Sequence, residues 1–170
     1  MAVTARRLAF AYNCCMTQQP AGARGGFGPA WLLLSIGFAL HVWDEAAHNF
    51  LEAYNATILT LAAHFWWFPR VVWPYREWLI GLLVGVAVCF ALTPFAFRGS
   101  RWMRPLAYLY AAIHFFNGMG HILATILGQT VPSVRFTGVA PGFYTAPLLL
   151  LASAYLFWSL RQTSQRPSKG

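Results

Sequence analysis

The sequence predicts an all-α integral membrane protein, a four-helix bundle with an additional interfacial helix between the first and second spans. Of 170 residues, 58% are hydrophobic and only 9% are charged, far below the roughly 25% charged that is typical of a soluble domain. Four apolar runs, at about 31–50, 78–97, 105–127 and 143–160, approach the ~20 residues that a helix needs to cross a hydrocarbon core. The polar residues inside two of them return in steps of three and seven, which is one face of a helix.

Residues 1–27 hold Arg, Gly, Gln and Pro with no sustained period and are expected to form a flexible cytoplasmic tail. The patch LAFAY after Arg6 and Arg7 is too short for a secretory signal core, so no cleaved targeting segment is expected. The membrane domain then covers 28–160. Its first run, WLLLSIGFALHVWDEAAHNF, is the least apolar, because polar residues occupy its second half. The second, WLIGLLVGVAVCFALTPFAF, is nearly pure hydrocarbon and reads as scaffold; Gly81 and Gly85, four apart, would let another helix approach closely. The third begins beside Pro105 and the fourth near Gly142 with Pro147 early, both compatible with proline in a first helical turn. Residues 161–170 are polar and form a second cytoplasmic tail.

Between the first two runs, LEAYNATILTLAAHFWWFPRVVW is apolar but interrupted by Glu52, Asn55, Thr57, Thr60 and His64. It reads as a helix at about 53–68 lying among the headgroups, anchored by Trp66, Trp67 and Trp73. Positive charge argues against a fifth span. With four spans and the N-terminus inside, the cytoplasmic side holds Arg6, Arg7, Arg24, Arg98, Arg101, Arg104, Arg161, Arg166 and Lys169, and the other side only Arg70, Arg76 and Arg135. A fifth span would turn the Arg98–Arg104 cluster outward, against the positive-inside rule. The expected protein is multi-pass with both termini cytoplasmic, as in a bacterial inner membrane.

The net charge of +8 follows from these short flanking loops, so lipid and topology explain it and nucleic acid is not an expected partner. Cys14, Cys15 and Cys89 have neither metal spacing nor a disulfide pattern.

Function should lie in the polar stripes, because ionisable groups at membrane depth are costly to keep. The same spelling occurs twice: His41, Asp44 and His48 in HVWDEAAH, then His114, Asn117 and His121 in HFFNGMGH, with Glu45 one turn after His41. Counted from the starts of their helices, His41 falls level with His114. His48 and His121 then lie roughly 10 Å nearer the outer surface at 1.5 Å per residue. The fourth span would bring Tyr144 and Thr145 to that outer level. Imidazole and carboxylate are ligands for zinc or iron. The candidate ligands are His41, Glu45, His48, His114 and His121, with Asp44, Asn117 and Thr145 in support. His41 and Glu45 would hold one side of an ion and His114 or His121 the other. Water on such an ion could attack a lipid-borne ester, amide or phosphate; without a metal, Glu45, His41 and His121 could move protons on an apolar substrate. A membrane-embedded enzyme acting on a lipidic substrate is the leading reading. A small proton- or cation-binding transporter and a structural protein whose stripes only pack helices are the alternatives.

His41-Val42-Trp43-Asp44-Glu45 resembles the H-x-x-E-E signature of the HXXEE family, small integral membrane proteins of uncharacterised function. Asn117-Gly118-Met119-Gly120-His121 and Ala140-Pro141-Gly142-Phe143-Tyr144-Thr145 look like that family's downstream patches. The likeness spans about 31–160. It implies a membrane location and a site at His41, Glu45, Asn117 and His121, and it supplies no activity. Asp44 stands where the family has its first glutamate, one methylene shorter, which leaves Glu45 as the better ligand.

Overall fold

The computed structural model describes residues 27–164; the expected tail at 1–26 and the last residues, 165–170, lie outside it, as do Cys14 and Cys15. Five helices make up most of the described chain: α1 Gly28–Ala47, α2 Phe50–His64, α3 Tyr75–Phe97, α4 Met103–Leu127 and α5 Ala146–Ser164. An antiparallel hairpin, β1 Gln129–Val131 and β2 Val134–Arg135, follows α4 and was not foreseen. Two expected boundaries move: Phe27, counted with the tail, is buried in the core, and α5 continues to Ser164 through residues assigned to the C-terminal tail.

The interfacial helix expected at 53–68 is instead Phe50–His64. It begins after Asn49, whose φ of 55° is left-handed, a conformation Asn tolerates better than most residues. The chain turns extended at Phe65, and Pro69 keeps the residue before it from helical geometry. Trp66, Trp67 and Trp73 therefore sit in the irregular link to α3, all exposed. The Asn55 side chain holds that link by donating to Trp73 O (2.9 Å) and accepting from Trp73 N (3.1 Å).

α5 packs against both α1 and α4, and α3 packs on the far side of α1, so the long helices line up as α3, α1, α5, α4. Neighbours run antiparallel. Trp31 Nε1 near the start of α1 donates to Cys89 O late in α3 (2.9 Å), and Arg104 Nη2 at the start of α4 donates to Leu160 O late in α5 (3.0 Å). The core is built of Phe27, Trp31, Leu34, Tyr110, Leu149 and Leu156 among alanines. α3 is the least enclosed helix, with only Ala96 buried. Of its two glycines, Gly85 lies against the Phe38 ring, while Gly81 faces open space and receives no helix.

Beside that apolar core the bundle also buries polar residues, while its outer faces are apolar. Ser35, His41, Asp44, Glu45, His114, His121 and Ser153 are all buried. Large apolar residues lie exposed at helical spacing on the opposite faces: Leu33, Ile36, Leu40 and Trp43 on α1, Leu109, Ile113 and Phe116 on α4, Leu151, Tyr155 and Trp158 on α5. One helix among the described residues, Tyr75–Phe97, is long and apolar enough by itself to cross a membrane.

Candidate metal centre

α5 sets the height at which α1 meets α4. A Cβ built on Gly37 of α1 would lie 3.6 Å from Leu149 Cδ2, and one on Gly118 of α4 would lie 3.3 Å from Leu149 Cβ. The same α5 residue therefore marks one level on both helices, pairing positions 81 apart where the repeated triplets suggested 73. α4 begins well before the level of Gly28, so counting from helix starts misplaced the pairing. His41 consequently meets His121, one of the two partners expected for it, and the expected equal level of His41 and His114 is not found.

His41 Nε2 and His121 Nε2 are 3.2 Å apart, and Glu45 Oε1 lies 3.3 Å from the first and 3.2 Å from the second. All three residues are buried, at 1%, 6% and 5% exposure for His41, His121 and Glu45. A tetrahedral zinc site with bonds of ~2.0–2.1 Å has ligand-to-ligand edges of ~3.3–3.4 Å. The His41, Glu45 and His121 triangle matches one face of such a tetrahedron, so this group could hold a metal ion.

The surrounding hydrogen bonds fix which ring nitrogens carry protons. Asp44 Oδ2 accepts from both Thr145 N and Thr145 Oγ1, each at 2.9 Å. The Thr145 hydrogen is thus committed to the carboxylate, and Thr145 Oγ1 accepts from His41 Nδ1 at 2.8 Å. His121 Nδ1 donates to Pro141 O, a carbonyl that can only accept. In their neutral forms both rings therefore present the Nε2 lone pair to each other and to the Glu45 carboxylate. Three acceptor atoms at such distances need a cation among them, either a shared proton or a metal ion. Asn117 Nδ2, 3.0 Å from His41 Nε2, donates to the single lone pair of that nitrogen, so an ion bound there would displace the amide. The Nδ1 partners, Thr145 Oγ1 and Pro141 O, are of the kind that orient metal-binding histidines.

The loop before α5 is shaped around His121. Gly142 has φ +82°, and a Cβ there would lie 2.6 Å from His121 Cε1, so both backbone conformation and space require glycine. Thr125, which the sequence reading passed over, donates to His121 O (2.9 Å) and accepts from Ala140 N (3.0 Å), tying the loop to α4. Its signal was present as a threonine one helical turn after His121.

Two expected ligands lie elsewhere. His114 is buried, but its ring packs against Phe38 (centroids 4.5 Å) and edge-on to Tyr110 (4.6 Å), and its Nδ1 has no hydrogen-bond partner. His48 is half-exposed beside Tyr144; its Nδ1 is 2.8 Å from both Asp44 O and Asp44 Oδ1. Asp44, Asn117 and Thr145 all stand next to the triangle, Asn117 and Thr145 on His41 and Asp44 one step behind. Among the described residues His64 bonds within its own helix, to Thr60 O (2.9 Å).

His121 and Asn117 also line a cavity of about 220 Å³ between α2 and α4, roofed by Thr130 and Phe136 from the hairpin region. No protein-family model, curated protein or solved structure matches the chain.

Proposed function

We propose that this chain is a multi-pass membrane enzyme that hydrolyses an ester or amide of an apolar, lipid-like substrate at a metal ion held by His41, Glu45 and His121. The observation that carries the reading is the triangle of ligand atoms with 3.2–3.3 Å edges, one member of which, His121, also lines an apolar cavity. Two histidines and one carboxylate with a free position form a recurrent hydrolytic zinc set. An ion there would acidify bound water and polarise a carbonyl. The chain's own groups supply the rest: Thr145 and Pro141 fix the rings, and the Asn117 amide, which an ion on His41 Nε2 would displace from that lone pair, lines the cavity and would be left to donate to a substrate oxygen.

Membrane crossing by α1, α3, α4 and α5 is part of the proposal. Its support is the outward display of Leu, Ile, Phe and Trp around buried polar groups, since exposed apolar surface on this scale marks a membrane or partner surface. At 1.5 Å per residue, α1, with 20 residues, and α5, with 19, are about as long as the ~30 Å hydrocarbon core is thick. The Arg98, Arg101, Arg104 and Arg161 end would face the cytoplasm. Kinship with the HXXEE family belongs to the same proposal, resting on His41 and Glu45.

A second reading keeps the site and omits the metal. Asn117 already occupies the His41 lone pair, and Glu45 and His121, 3.2 Å apart, could share a proton and move it on an apolar substrate. Elemental analysis of detergent-purified full-length protein separates the two. The metal reading expects close to one zinc or iron per chain, lost in Glu45→Gln and His121→Ala, with hydrolysis of p-nitrophenyl octanoate lost in parallel. A wild-type protein that neither retains nor takes up metal overturns it in favour of proton transfer.

A further inference from the structure

The cavity beside His121 has a composition unlike that of the metal site. Its walls are Phe50, Ala53, Tyr54, Phe116, Ala124 and Pro141, with Asn117 and His121 as polar groups at the α4 side. The Phe50 ring lies 5.2 Å from the His121 ring, so the apolar wall begins in contact with the ligand triangle. Further along, the hydroxyl pairs Thr57 with Thr130 (2.6 Å) and Thr60 with Ser133 (2.8 Å) clasp α2 to the hairpin. Of the lining residues, Phe116 and Gly120 of α4 and Thr130 of the hairpin are exposed, and the α4 pair lies on the face that continues into the apolar surface of Ile113 and Leu123. On its α4 side the cavity therefore borders the surface that would meet hydrocarbon.

We propose that this cavity is the subsite for one unbranched hydrocarbon chain of the substrate, admitted sideways from the bilayer past Phe116 and Gly120, with the reacting carbonyl left at His121 and Asn117. The inference rests on the hydrolytic reading above for the chemistry, and on the cavity alone for the chain. A void of about 150 Å³ lined by apolar side chains takes up benzene, so about 220 Å³ holds a short chain rather than a whole lipid. Diglycerides and phospholipids would place one arm inside and keep the rest in the membrane. Selectivity should lie in the arm next to the scissile bond.

Gly120 offers a clean test, because a Cβ there meets nothing within 4 Å, and the same is true of Gly81 on α3, away from the cavity. Gly120 lines the cavity and its Cβ position is clear, so Gly120→Leu adds bulk at that wall, and Gly81→Leu is its matched control. Binding of dansyl-labelled undecanoic acid to the full chain in detergent is followed by fluorescence, with displacement by methyl esters from butanoate to dodecanoate. The wild type and Gly81→Leu should gain about fourfold in displacement per methylene, from about 0.8 kcal/mol each, until the cavity is full. Gly120→Leu should bind the probe at least about tenfold more weakly while keeping its metal content, and should favour p-nitrophenyl acetate over the octanoate. Equal binding by all three proteins overturns the proposal, even if metal and hydrolysis are found. Probe binding that Gly120→Leu abolishes in a protein holding no metal supports the chain subsite and removes only the hydrolytic reading.

Discussion

His114 and His121 lie seven residues apart on one face of α4, both more than nine-tenths buried, and their surroundings are opposite. His121 has Pro141 O at Nδ1, Glu45 and His41 at Nε2, and Gly142 shaped to its ring. His114 has the rings of Phe38 and Tyr110 and an unpartnered Nδ1. Residue type and helical face are equal in the two. The difference comes from what touches each one: at the level of His121, α1 has reached its acidic turn and the loop before α5 returns, while one step back along the bundle the α1 ring in contact with His114 is Phe38, with His41 and Glu45 near enough to act on it only through their charge. A buried histidine becomes a candidate ligand when neighbouring chain segments fix its tautomer and bring a carboxylate.

Four substitutions would break or sharpen that contrast, from the largest effect to the smallest. Asp44→Ala leaves the Thr145 N–H and O–H without their carboxylate and should destabilise by about 3–5 kcal/mol, read from denaturant unfolding in detergent. Gly142→Ala adds a methyl against the His121 ring at a positive φ; about 2–4 kcal/mol of lost stability is expected, and metal uptake should weaken with it. In Thr145→Val the acceptor of His41 Nδ1 disappears while shape is kept. Metal affinity should fall about 10–100-fold by competition with a chelator, and unchanged affinity would deny His41 its ligand role. His114→Phe replaces an unpaired buried polar atom by apolar surface of similar shape. Stability should change by no more than about 1 kcal/mol, toward stabilisation, with metal content untouched; loss of metal there would return His114 to the site.

Much of the architecture was legible in the sequence. The four apolar runs reappear as α1, α3, α4 and α5 within a few residues of their expected limits, because a long continuous apolar run has few alternatives to a helix. The spacing of His41 and Glu45 put both on one helical turn, and they do converge on one point. The hairpin was invisible because its strands are three and two residues long, too short for any alternating pattern. The α2–α4 cavity was equally hidden, being a property of the gap between segments distant in the chain. Polar site residues lower the hydropathy of α1 and α4, and the polar last turn Arg161–Ser164 lowers that of α5, so among the described helices α3 reads as a span on length and composition alone.

By itself the sequence determined the helices, the face on which each polar residue lies, and the pool of possible ligands, since those follow from periodicity within one segment. The height of one helix against another was decided only by tertiary packing. The start of α5, Ala146 to Leu150, packs against Gly37 on one side and Gly118 on the other, and at the height this contact gives, His121 rather than His114 meets His41. Local periodicity repeats along a helix and so cannot say which repeat will face a partner; side-chain volumes at the contact can.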